Sequence, residues 1–105
     1  MVKNKKIVVY VPLSHADKVR EAIGNAGAGQ LGKYSFCSFS VRGTGRFMPE
    51  LGANPHIGNV GVPELVEEDR IEVTCKEDVV DEVISAIKSV HPYEEVALDV
   101  YSLDN

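Results

Sequence analysis

The sequence predicts an α+β fold in which the chain runs strand, helix, strand, strand, helix, strand. Three observations carry this order. Runs of β-branched and aromatic residues recur four times, two intervening segments place apolar residues at helical spacing, and glycine or proline punctuates the boundaries. Two helices on one face of a four-stranded antiparallel sheet, the ferredoxin-like βαββαβ sandwich, is what this order implies.

The first strand is Lys6 to Pro12, KIVVYVP, apolar on both faces as a covered central strand is. Ser14 reads as a helix N-cap with Asp17 three residues on. Val19, Ile23 and Ala26 then form one apolar stripe, and Gly27-Ala28-Gly29 ends the helix. Lys33 to Val41 alternates, with Tyr34 and Phe36 on one face and Cys37, Phe39 and Val41 on the other. Pro63 to Cys75 resumes a strand pattern, placing Ile71, Val73 and Cys75 on one face. Lys76-Glu77-Asp78 opens a second helix with acids where its dipole favours them. Its stripe is Val80, Val83, Ile84 and Ile87, and His91-Pro92 ends it, since the residue before proline avoids helix. Glu95 to Leu103 forms the last strand, with Val96, Leu98 and Val100 alternating.

At 105 residues, 44% of them hydrophobic and 26% charged, the composition is that of one globular domain over 1–105; two half-length units would each bury too little surface. The net charge of −5 argues against nucleic acid, whose binding rests on Lys and Arg neutralising phosphates. No apolar run approaches a membrane span. The basic-then-apolar N-terminus has too short an apolar run for a signal peptide, which makes the cytoplasm the expected compartment. Cys37 and Cys75 lack metal or disulfide-framework spacing and read as small buried hydrophobes on strands, with a pairing possible only if those strands are neighbours.

The stretch from Arg42 to Glu72 holds five of the nine glycines and three of the five prolines, so it reads as structured turns. About twenty residues separate the two strand patterns, and unstructured connections beyond ~12–15 residues are uncommon unless functional. Phe47, Met48, Leu51, Ile57 and Val60 need something to pack against, so we expect an ordered loop docked on its own sheet or on a neighbouring subunit. Tyr34, Phe36, Phe47, Met48, Pro55, Ile57 and Tyr93 are the expected packing residues of that loop or of an oligomer. An apolar sheet face without helices predicts self-association.

Three groups could carry chemistry. Arg42-Gly43-Thr44-Gly45-Arg46 could turn backbone N–H groups and guanidinium toward a small anionic effector. The glycines could equally supply positive φ where the chain leaves a strand. His91, Glu94 and Glu95, joined by His56 from the loop, could ligate a divalent metal and support a metal-dependent hydrolase. Against this, Pro92 could simply set the turn while Tyr93 packs and a Glu pairs with a basic residue. The acidic run Glu64, Glu67, Glu68, Asp69, Glu72 could do acid–base work, but such a run is more often a solvated sheet edge. An ion pair from Arg70 or Arg46 to Glu72 is expected within it. His15 reads as exposed, and no nucleophile–base–acid set is present, so the balance leans away from an enzyme.

The wording GTGRFMPELGANPHIG, ELVEEDRIE and HPYEEVALDVYSL resembles the domain inserted in YqfO-type members of the NIF-three-like proteins, itself related in fold to CutA and the PII signalling proteins. The resemblance runs from the KIVVYVP strand to the final VYSL. It implies a PII/CutA-like fold, self-association as a trimer by analogy (a dimer being the other closed form), and a regulatory or oligomer-capping role. In those relatives a separate domain supplies the ligands of a dinuclear metal site. That domain is not in this chain, so its metal chemistry does not transfer.

Overall fold

The computed structural model describes residues 2–105. Strand β1 (Asn4–Pro12) passes through a 3-10 turn (Leu13–His15) into helix α1 (Ala16–Asn25). Strands β2 (Phe39–Phe47) and β3 (Glu64–Lys76) form a long hairpin. A second 3-10 turn (Glu77–Val79) opens α2 (Val80–Val90), and β4 (Leu98–Ser102) follows. The sheet order is β2-β3-β1-β4 with every pairing antiparallel. This is the ferredoxin-like α+β arrangement expected from the sequence.

The core forms where alternation on the strands meets the helix stripes. Ile7, Val9 and Val11 on β1 stand opposite Val73, Ile71 and Asp69 on β3. Val19 and Ile23 of α1 and Val83 and Ile87 of α2 close over them in one buried cluster. Each such side chain contributes roughly 1.5–3 kcal/mol by leaving water. Helix α1 ends in paired bonds, Ala28 N–H to the Ile23 carbonyl (3.2 Å) and Gly27 N–H to the Gly24 carbonyl (3.1 Å), with Gly27 at φ +100°. No helix among the described residues is long and apolar enough to cross a membrane.

The structure departs from expectation in three places. Residues 33–38 are not strand: Leu31 and Tyr34 exchange backbone bonds across a tight turn, and Phe36 adopts φ +58°. Tyr34 and Phe36 therefore do not share a sheet face. The Phe36 ring instead lies against α1 at Gly24, where a Cβ would collide with it. Cys37 consequently sits half-buried in a loop, whereas Cys75 is buried on β3 as expected. Second, Arg42-Gly43-Thr44-Gly45-Arg46 lies inside β2, paired from Asp69 back to Leu65, so the loop begins only at Met48. Gly43 and Gly45 are not at positive φ. Third, Ser14 does not cap α1; its hydroxyl bonds the neighbouring His15 Nδ1 (2.8 Å).

The acidic run also resolves differently from a solvated edge. Asp69 is only 5% exposed. Its carboxylate accepts from Arg20 Nη2 of α1 at 2.5 Å and from Arg42 Nε of β2 at 3.5 Å, so this ion triad ties helix, central strand and edge strand together. Arg70 pairs with Glu72 (3.2 Å), as the sequence suggested. Asp69→Ala leaves the partly buried Arg20 with only the exposed Asp17 carboxylate (2.8 Å) and the Ser40 hydroxyl (3.2 Å) as partners. We expect a loss of about 2–3 kcal/mol in urea unfolding, below the 3–5 of a fully buried pair because Arg20 can turn to water. A loss under about 0.5 kcal/mol would mean that the triad holds nothing together.

Candidate functional site

Strand β3 outruns β1. The β1–β3 pairing ends at Pro12–Glu68, while β2 and β3 continue paired to Phe47–Glu64. The molecule is accordingly elongated, 47 × 22 × 21 Å. The projecting ribbon carries the connecting loop, residues 48–63. That loop is shaped by two reverse turns, closed by Ala53 N–H to the Glu50 carbonyl (3.0 Å) and Val62 N–H to the Asn59 carbonyl (3.1 Å). In both, glycine occupies the third position at positive φ (Gly52 +97°, Gly61 +79°), as a type II turn requires. Gly61 N–H to the Pro49 carbonyl (2.7 Å) draws the two limbs together, and Pro49 is buried.

The loop is anchored on the turn after α2. Asn54 N–H donates to Glu94 Oε1 at 2.9 Å. Tyr93 stands between the His56 and Phe47 rings, with centroids 6.2 Å from each and tilts of 50° and 55°. His91 lies 5.0 Å from Tyr93 on another side, and His15 packs edge-on to His56 at 5.9 Å. His56 and His91 thus pack on one tyrosine, and His15 joins them through His56, so all three histidines of the chain gather at one end from three different connections.

His91 is 7% exposed. Its Nε2 lies 2.7 Å from the Tyr10 carbonyl, which can only accept, and its Nδ1 lies 3.2 Å from the Tyr93 N–H, which can only donate. The ring is therefore the neutral Nε2–H tautomer with both nitrogens used. Burial holds its pKa below the usual histidine value, with His15 and His56 acting in the same direction against the Tyr10 carbonyl and Glu68. A metal cannot bind either nitrogen without breaking a backbone bond. Glu94 already serves Asn54, and no three His, Cys, Asp or Glu among the described residues converge as a metal set. His56, His91, Glu94 and Glu95 are brought to one region, where both His91 nitrogens and one Glu94 oxygen hold backbone partners.

Between the ribbon, the loop and the Tyr93–Ala97 segment lies an open groove of about 470 Å³. Arg46, Phe47, Met48, Pro55, His56, Ile57, Tyr93, Glu94 and Glu95, all singled out from the sequence, line it. Arg42, Gly43 and Thr44 do not, and Arg42 is occupied by Asp69. Two residues take roles other than those read from the sequence. Glu68, read within the acidic run, enters the groove, and Gly45, read within the candidate anion loop, makes room for it, since a Cβ there would strike the Glu68 carboxylate. The Tyr93 hydroxyl is buried without a hydrogen-bond partner, and burial, followed by the neighbouring Glu68 carboxylate, pushes it up to about 12. The register of GTG against the acidic run was the signal that could have found this pair.

No family model matches the chain. It is 52% identical over 100 residues to a GTP cyclohydrolase 1 type 2 homolog from Halalkalibacterium halodurans, covering 95% of this chain and 27% of that protein. The crystal structure of a Bacillus cereus protein related to NIF3 superposes with a TM-score of 0.87 at 49% identity, over all of this chain and 27% of that one. The periplasmic divalent cation tolerance protein CutA from Archaeoglobus fulgidus superposes at 0.72 with 16% identity, over 97% of this chain and 85% of that one, a likeness of fold alone. The chain thus spans about a quarter of the length of the curated relatives it matches.

The locked imidazole sets a pH dependence. Because the folded state keeps His91 neutral below the pKa of the unfolded chain, stability is fully present above about 6.5 and falls as the pH drops from there toward the depressed folded value. We expect the thermal midpoint to decline below about pH 6.5 in the native sequence. His91→Gln, losing about 1–3 kcal/mol at pH 8, should show a flatter decline. Parallel pH profiles of the two proteins would refute the assignment.

Proposed function

The chain belongs with one segment of the GTP cyclohydrolase 1 type 2 homologs, proteins of the NIF3-like family, and on that premise we propose that it is a non-catalytic, self-associating regulatory or ligand-binding domain. The observation that carries the reading is the helix-free sheet face. Phe39 and Val41 stand there 66% and 50% exposed, and Tyr101 stands on the same face at the opposite edge of the sheet, although all belong to the ordered sheet. Lys6 and Arg70 share that face with Glu72 and Asp99, so charges of both signs flank the apolar positions. Such a surface complements a copy of itself.

Size supports a second copy as the occupant. Four strands ~4.8 Å apart and about nine residues long present roughly 500–600 Å², short of the ~800 Å² per partner of a standard interface. The ribbon and its loop expose Met48, Leu51, Val60, Val62 and Leu65, and these supply the remainder. A trimer is the arrangement that the family resemblance favours, and a dimer is the other closed form. The groove beneath the loop is then the place for a small ligand, and the cytoplasm the expected compartment. Acid–base catalysis draws no support from His91, both of whose nitrogens are already engaged. The metal-dependent hydrolase reading is weakened because both nitrogens of His91 are already engaged, leaving His56, Glu95 and the second oxygen of Glu94.

Light scattering tests the assembly. At about 0.1 mM the protein should show the mass of two or three chains, and the double substitution Phe39→Glu, Val41→Glu should reduce it to one chain while circular dichroism stays unchanged. A native protein that remains monomeric, or a double variant that keeps its assembly, would overturn the reading.

A further inference from the structure

The loop of residues 48–63 is fastened at the Tyr93 turn. Glu94 takes the Asn54 N–H at 2.9 Å, and the Tyr93 ring packs on His56 of the loop and on Phe47 at its entrance. His91 fixes the shape of that turn. Its Nδ1 accepts the Tyr93 N–H at 3.2 Å, while its Nε2–H donates to the Tyr10 carbonyl of β1 at 2.7 Å. The imidazole therefore joins the fastening of the loop to a central strand, and it does so almost out of reach of water.

A neutral imidazole suits this place because it offers one donor and one acceptor. An imidazolium carries a hydrogen on both nitrogens, so Nδ1–H would face the Tyr93 N–H, donor against donor. Turning the ring over brings the other N–H to the same spot and relieves nothing. Relief comes when residues 92–95 swing away, and Tyr93 and Glu94 then lose their hold on the loop. The groups around the ring are of both kinds. His15 from the turn before α1 and His56 from the loop oppose a positive charge on His91, whereas Glu68 of β3 and the Tyr10 carbonyl favour one. The carbonyl end of α2 also favours a cation, and Lys88 in its last turn is exposed. Tyr93 stays neutral, its hydroxyl being pushed up to about 12. Burial is the largest influence, and it keeps the ring uncharged at neutral pH.

We propose that His91 is an acid-sensitive latch: when it takes up a proton, the loop around Asn54 and His56 comes away from the Tyr93 turn while the core of the domain stays folded. The β1–β3 ladder does not involve the loop, and the buried core cluster contains none of its residues. The loop can therefore open at less cost than the whole domain. Once open, His91 reaches water and titrates near the ordinary value of ~6.5. Opening is then favoured as the pH falls below that value, by at most about tenfold per pH unit for one proton. The groove opens with the loop, and the latch works whether or not the groove holds a ligand. Release of the loop is a local event that precedes global unfolding.

Amide hydrogen exchange followed by NMR between about pH 7.5 and 5.5, each rate referred to its intrinsic value, tests the latch. The Asn54 and Tyr93 amides report the fastening, and Val9 and Ile71 in the β1–β3 ladder report the core. Asn54 and Tyr93 should be less protected than Val9 and Ile71 at every pH, and their protection should fall by up to about tenfold per unit below pH ~6.5. His91→Gln keeps a donor and an acceptor but takes up no proton, so it should flatten that fall, whereas His15→Gln should leave it in place. A measurement that needs no variant is the 15N titration of the His91 ring, whose midpoint should match that of the Asn54 amide shift to within about half a pH unit. Protection of Asn54 and Tyr93 that does not change with pH would overturn the latch, as would a ring midpoint far from that of the loop. Protection equal to that of Val9 and Ile71 throughout would show that the loop leaves only with the whole fold, and an undiminished fall in His91→Gln would show that another group is the trigger; either result overturns the proposal.

Discussion

The pairing of β3 on two unequal sides is the constraint on which the rest of the structure depends. From Lys76 back to Glu68 the strand is held by β1 on one side, and for most of that length by β2 on the other. From Glu67 to Glu64 it has only β2, four residue pairs standing clear of the sheet. A bare two-stranded ribbon is marginally stable in water. This one is propped by its own loop, which folds back to hand the Asn54 N–H to Glu94 and lays His56 against Tyr93. The groove is the space that this prop leaves open.

Tyr10 connects the groove end to the rest of the molecule. Its carbonyl receives His91, its amide donates to the Ala97 carbonyl (3.1 Å), and its ring on the helix-free face lies 5.9 Å from the Arg70 guanidinium carbon. A displacement at the sheet face therefore reaches the Tyr93 turn through one residue of a central strand. In the proposed reading, self-association on that face and occupancy of the groove would act on the same element. A regulatory domain needs such a connection between its assembly surface and its ligand site.

The order of elements and both helix stripes were legible because periodicity survives in single segments: Val19 and Ile23, Val83 and Ile87 are buried as read. The start of β2 was not. Tyr34, Phe36 and Cys37 alternate like a strand, but the alternation has no partner strand to enforce it, and Phe36 turns into the left-handed region to cover Gly24. Gly43-Thr44-Gly45 reads as a break because glycine weakens strands. Here Gly45 is needed within one, to admit the Glu68 side chain. The acidic run looked solvated as a block, yet adjacent members diverge: Asp69 faces the helices and is buried, and Glu68 faces the groove. That alternation was written in the period of two, but which side was covered depended on how far β1 extends. The meeting of His15, His56 and His91 has no local signal at all, since it is produced by three connections folding to one end.

The central claim is that the loop has one shape, fixed by its contacts with Tyr93 and Glu94. Backbone 15N relaxation over residues 48–63 tests it most directly. The account predicts order parameters near 0.85, equal to those of the strands, through Ala53 to Ile57. Values below about 0.6 across that segment, with the sheet itself rigid, would contradict it.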